Sequence, residues 1–232
     1  TVATTQAIKW TPTGTFTNVR IEASKDDFST TFLDTIQPAG TSGVETPYNW
    51  NVTDNLSKTV KVRISDPDHH PEIVKDVSDG NFSILGGLDV TVPEAGQVWF
   101  VGETDHSITW DASGTVTNVK IEYKTTAGGA YNTIAADHGG HTSGPNSYLW
   151  PSVADEKSDT CYIRVSDVNN YDDVYSVSSS AFSIRPKITV SEPAAGANIK
   201  VGSTNPDCVK WSLNGSAKVT NVDVNYSING IN

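Results

Sequence analysis

The segment AIKWTPTGTFTNVRIE, ending at Glu22, recurs as SITWDASGTVTNVKIE ending at Glu122, and a third time as CVKWSLNGSAKVTNVDVN ending at Asn225. Trp10, Trp110 and Trp211 stand in register. A repeat of this period constrains the fold more than any composition does, because each copy must be one structural unit stacked on its neighbours. Later segments repeat as well. YNW ending at Trp50 returns as YLW ending at Trp150, VKVRISD ending at Asp66 as CYIRVSD ending at Asp167, and NFSI ending at Ile84 as AFSI ending at Ile184. The offset changes from 100 (Trp50 to Trp150) to 101 (Asp66 to Asp167), one inserted residue that a loop absorbs. The opening of a copy is written twice, as DVTVPEAGQVWFVG at Asp89 to Gly102 and as ITVSEPAAGANIKVG at Ile188 to Gly202. Residues 1–85 have no counterpart of it. The expected division is 1–85, a unit without its first strand; 86–186, a complete unit; and 187–232, the N-terminal part of a third, with both ends inside a unit.

Apolar and polar residues alternate through each repeated segment, the period of a strand with one buried face. Val19, Ile21, Val119 and Ile121 are expected to point inward, and Arg20, Glu22, Lys120 and Glu122 outward. Val60, Val62 and Ile64, matched by Cys161, Ile163 and Val165, form a second inner row. Phe82, Ile84, Phe182 and Ile184 close the core, with Trp10 and Trp110 buried in equivalent places. No stretch has a convincing helical period. Strands separated by Gly, Pro, Asn and Asp clusters predict an all-β chain of tandem immunoglobulin-like β-sandwich modules, roughly seven strands each. In that arrangement the NVKIE and IRVSD strands are neighbours, so Glu22 should approach Arg63 and Glu122 should approach Arg164.

Composition narrows the function. With 27 acidic residues against 16 basic, the net charge is -11, which argues against nucleic acid, whose phosphates need Lys and Arg, and disfavours an anionic membrane. Residues 86–186 carry most of it, 13 acidic against 5 basic. No apolar run is long enough to span a bilayer, so no direct membrane insertion is expected. Methionine is absent, so Thr1 is not a translational start, and a mature fragment whose leader has been removed is expected. Cys161 and Cys208 are too few for a disulfide framework. They fall in different units, and both are expected to stay free, Cys161 as a small core residue. Low charge content with abundant Thr, Ser, Gly and Asn points to an exported, extracellular protein.

Candidate chemistry is sparse. The tryptophans could stack on sugars, but Trp10, Trp110 and Trp211 share a phase with Ile8, Ile108 and Val209 and are expected in the core; Trp99, replaced by Ile199 in the third copy, is the exception. His138 and His141 in DHGGH lack the further ligands a metal would need. His69 and His70 read as exposed. There is no G-x-S-x-G, H-E-x-x-H or phosphate loop, and no catalytic group is expected. The best site candidate is the acidic turn after the IRVSD strand, where Asp167, Asn169, Asp172 and Asp173 offer hard oxygen ligands of the kind calcium takes. Asx residues also make turns without any metal. Asn51, Asn55, Asn81, Asn214 and Asn225 lie in glycosylation sequons.

The run Pro93, Gly96, Trp99 and Gly102, followed by I-x-W, NVKIEY, SYLW, C-x-IRVSD and FSI, resembles the immunoglobulin-like repeats of bacterial secreted and cell-envelope proteins, a group related to a domain of fungal wall-glucan assembly proteins. The likeness extends over essentially the whole chain, with Val60 departing where the second copy has Cys161. The resemblance implies location and scaffold: a structural cell-surface protein, in concrete form a surface-layer subunit of a planctomycete-type bacterium such as an anammox species, packed in a lattice with other copies of itself. The other reading is an adhesin or carbohydrate-binding stalk that contacts wall or surface glycans, attached to a hydrolase.

Overall fold

The computed structural model describes residues 1–14, 16–29, 34–37, 47–68, 73–139, 141, 143–202 and 209–228. In the first repeat the strands are β1 (Thr5–Ile8), β2 (Arg20–Ser24), β3 (Asp34–Gln37), β4 (Tyr48–Asn51), β5 (Ser57–Ser65), β6 (Lys75–Val77) and β7 (Phe82–Ile84). The second contains β8 (Gly87–Val92), β9 (Val98–Phe100), β10 (Ser107–Ser113), β11 (Asn118–Lys124), β12 (Asn132–Gly139), β13 (Gly144–Leu149), β14 (Ser158–Asp167), β15 (Tyr175–Val177) and β16 (Phe182–Arg185). β17 (Lys187–Glu192) and β18 (Lys210–Asn214) belong to the third. The chain is all-β. Among the described residues there is no α-helix, and no helix long and apolar enough to cross a membrane.

In the second repeat one sheet runs β13-β10-β8 and the other β12-β11-β14-β16-β9, with β15 added to β14. All pairings are antiparallel except β16 with β9. The repeat therefore holds nine strands rather than about seven, because two three-residue strands, β9 and β15, are too short to show a period. Both sheets contribute to one core, in which Trp110, Ile108 and Val90 meet Ile121, Ile163, Val165 and Phe182. This is the burial that the alternation predicts.

The first repeat has the same registers. Glu22 pairs with Arg63 as Glu122 does with Arg164, and Val60 faces Phe82 as Cys161 faces Phe182. Among the described residues no strand of it stands where β8 does: β1 pairs with β4, and Lys9 to Thr13 belong to no strand. Trp10, expected in the core, is consequently only half-buried, as are Ile8, Val62, Ile64 and Phe82, while Trp110 is 1% exposed. Trp211, on the two-stranded β17–β18 sheet, is exposed: among the described residues no second sheet covers it.

Glu22 and Glu122 were expected to face solvent and are buried. They lie on the outer face, but that face carries a second layer. Arg63 reaches Glu22 Oε2 with Nη2 at 2.8 Å and Nε at 3.2 Å, and its guanidinium lies 4.4 Å from the Phe28 ring centroid. In the second repeat the direct pair is replaced. Glu122 instead holds Lys120 Nζ at 2.6 Å and accepts the Tyr171 hydroxyl at 2.7 Å, while Arg164 donates to the Tyr171 carbonyl at 2.8 Å. Tyr171 has inserted itself between the expected partners.

Successive repeats are joined in the same way twice. Within each repeat the valine that meets the next one is held by equivalent backbone bonds: Val2 N–H donates to the Leu85 carbonyl and Ala3 N–H to that of Val52 in the first, Val101 N–H to Arg185 and Gly102 N–H to Val153 in the second. At the first joint Asp54 accepts from Thr115 N–H at 3.0 Å and Thr115 Oγ1 at 2.7 Å. Gly114, at φ 76°, packs so closely that a methyl group there would lie 2.9 Å from both Asp54 Oδ1 and Val2 Cγ2. Its counterpart Gly215, at φ 87°, would bring one to 3.2 Å from Asp155 Oδ1 and 3.1 Å from Val101 Cγ2. Glycine meets both demands, a left-handed backbone and no side chain. Charged pairs flank each joint: Lys58 with Asp173 at 2.9 Å, and Lys187 with Glu103 at 3.0 Å.

Candidate functional site

The acidic turn after β14 does not gather its carboxylates around one point. Asp167 is buried at the strand end and turned into its own loop, where Oδ1 accepts from Asn169 N–H at 3.0 Å and Oδ2 from the Asn170 amide at 2.7 Å. Asp66 does the same in the first repeat, taking Asp68 N–H at 2.9 Å. This is the Asx turn, in which the carboxylate satisfies backbone donors as the strand ends. Asp172 is exposed, and exposed Asp173 takes the inter-repeat contact with Lys58. Asn169 contributes its backbone N–H to Asp167.

Among the described residues, Glu103, Asp105 and His106 bring three ligand-type side chains within 4.8 Å. Glu103 and His106 are already engaged, while Asp105 is exposed, 3.9 Å from His106 Nε2. Glu103 Oε2 contacts His106 Nε2 at 2.8 Å and accepts from Phe100 N–H at 3.0 Å, and its Oε1 holds Lys187. The His106 bond, the Phe100 amide and the Lys187 bond together pull the Glu103 carboxyl down to about 2. His106 in turn stacks on Trp99, centroids 4.6 Å apart, and Trp99 packs on Trp150 and Phe182. Trp99 is therefore core, not a sugar platform.

The DHGGH histidines have a packing role too. His141 is buried against the Trp110 ring at 5.1 Å, with its nitrogens at the His138 carbonyl and Asn146 Oδ1, and His138 packs edge-on to Tyr148. Cys161 is a free, fully buried thiol, held above its ordinary pKa by burial. His69, His70 and Cys208 lie outside the described residues.

One surface feature was not singled out from the sequence. On the outer face of β11, β14 and β15, Arg164 lies 4.0 Å from the Tyr171 ring centroid, 4.3 Å from Tyr175 and 5.4 Å from Tyr131. Lys124 stands over Tyr131 at 4.9 Å and Tyr162 at 5.5 Å. Tyr175 is exposed and the other three rings are half-buried. The first repeat has Lys61 and Lys75 where this face has Tyr162 and Tyr175. The signal was available: Tyr162 and Arg164 share the outward phase of β14. Such a face offers rings and cations, suited to stacking and hydrogen bonding, and no nucleophile with a base.

Compared with known proteins, the chain matches no family model and no curated sequence.

Proposed function

We propose that this chain is a run of immunoglobulin-like modules from a structural, non-enzymatic cell-surface protein, in concrete form a surface-layer subunit whose partners are other copies of itself. The observation that carries this reading is the twice-used joint. Arrays whose neighbouring units meet through the same contacts propagate a fixed geometry along the chain, which is useful for spanning and tiling rather than for turnover. An exported, extracellular setting agrees with the composition, and the acidic surface calls for divalent or salt screening when copies pack closely.

A second reading, a glycan-binding stalk, is favoured by the Tyr131, Tyr162, Tyr171 and Tyr175 face alone. The two separate experimentally. Electron microscopy of the purified protein with calcium and with chelator should show ordered assemblies that depend on the cation while circular dichroism stays unchanged. Dispersed particles under every ionic condition, together with retention on a glycan array that Tyr171→Ala and Tyr175→Ala abolish, would replace the structural reading with the binding one.

A further inference from the structure

The second repeat carries unmatched charge of opposite sign on its two outer faces. On β10 and β8, Asp111 and Asp89 stand directly opposite one another, both exposed, and neither side chain has a hydrogen bond or ion pair among the described residues. Like charges placed across a strand pair repel and cost stability. The other repeats avoid this. Thr11 stands where Asp111 does, and in the third repeat Thr189 pairs with Ser212 where Asp89 pairs with Asp111.

The other sheet presents cations. Arg164 Nη2 donates to the Tyr171 carbonyl and Lys124 Nζ to that of Ala127 at 2.6 Å, so neither has a carboxylate partner among the described residues. In the first repeat the cations of the same face are neutralised, Arg63 by Glu22 at 2.8 Å and Lys61 by Asp27 at 3.0 Å. Tyr171 has taken Glu122 from Arg164, which leaves two uncompensated cations side by side in a repeat of 13 acidic and 5 basic residues. Of the carboxylates next to Tyr171, Asp173 is held by Lys58 and Asp172 is exposed. Half-buried Tyr131 and Tyr162 and exposed Tyr175 surround the two cations. Tyrosine and arginine in one patch are the side chains that dominate the energetics of protein interfaces.

We propose that the Lys124 and Arg164 face of one chain docks on the Asp89 and Asp111 face of a second copy. The two sheets share one core, so their outer faces look away from each other and every copy offers both halves of the contact. Such a contact is heterologous, and it builds rows or rings rather than closed dimers. Each cation gains the carboxylate it lacks within its own chain, and the repulsion between Asp89 and Asp111 is relieved. The hollow beside Asp111, lined by Thr91, Thr109, Pro145 and Ser147, receives Tyr175 and offers hydroxyl groups to it. Charge also sets the pairing, because cationic face on cationic face, or acidic on acidic, is repelled. The inference rests on the reading of the chain as self-associating and names one contact.

Sedimentation velocity of the 232-residue chain over a wide concentration range, with circular dichroism to follow folding, tests it. The parent should form concentration-dependent oligomers. Asp89→Lys with Asp111→Lys should weaken association at least about tenfold, and so should Lys124→Glu with Tyr175→Glu, a pair that leaves Arg164 in place. An equal mixture of the two variants should associate again, since one offers lysines where the other offers glutamates, and a chain with all four changes should self-associate. A parent that stays monomeric, oligomers indifferent to both variants, or variants whose mixture stays apart would overturn the proposal. Ordered sheets formed equally well by both variants would overturn this contact and leave the structural function standing, whereas a parent that forms neither oligomers nor sheets under any ionic condition removes both. Glycan retention by a monomeric chain, lost with Tyr175→Glu, would overturn it too and give the tyrosine face to the glycan-binding reading.

Discussion

Equivalent residues in the two larger repeats experience different surroundings, and the difference is measurable. Trp110 sits between two sheets with His141 against its ring, so Trp110→Ala should destabilise the second repeat by about 3–5 kcal/mol, the range for deleting a buried aromatic. Trp10 is half-buried and gives up less buried area, so Trp10→Ala should cost less. Chemical denaturation of both variants, with each repeat's transition followed separately, checks this; equal costs would mean that the two sites are equally covered. The phase of these tryptophans was legible because alternation assigns a face. Coverage was not, because alternation carries no information on whether an opposing sheet is present. Glu22 and Glu122 illustrate the converse. Their outward phase was read correctly, but Phe28 and Tyr171, which cover that face together with the strand arginines Arg63 and Arg164, come from loops, whose conformations are not periodic.

At the scale of elements, the repeat made the long strands and their neighbours readable, including the Glu22–Arg63 register that joins β2 to β5. β9 and β15 escaped because three residues hold one and a half periods. The Asp167 turn was ambiguous for a chemical reason: oxygen ligands for a cation and oxygen acceptors for turn amides are the same residues. Glu103 was overlooked because its partners come from three places, β9, the loop before β10 and the start of β17. Its carboxyl, lowered from 4.5 to about 2, contributes stability that is present above about pH 4.5 and lost as pH falls toward 2. Glu103→Gln should thus be less stable than the parent at neutral pH, with the gap closing across that window. Thermal unfolding at stepped pH checks it; a gap that persists at pH 2 would show that the ionised carboxylate is not what stabilises the joint.

Taken whole, the molecule is an acidic series of β units whose charge is concentrated in the middle repeat and whose joints are made alike. The hydrophobic cores lie within repeats, while the joints depend on a few close contacts: an aspartate, a glycine, a valine and a flanking ion pair. Joints so built hold orientation only if these contacts persist in solution, and the structural reading depends on that. The direct measurement is the distance distribution between spin labels on exposed positions of neighbouring repeats, Asp79→Cys and Ala127→Cys, in a Cys208→Ser background with the buried Cys161 retained. A fixed joint predicts one narrow distance population in the parent chain, broadened when Asp54→Ala removes the contacts to Thr115. A broad distribution in the parent, unchanged by Asp54→Ala, would contradict a propagated geometry and with it the reading of this chain as a structural array.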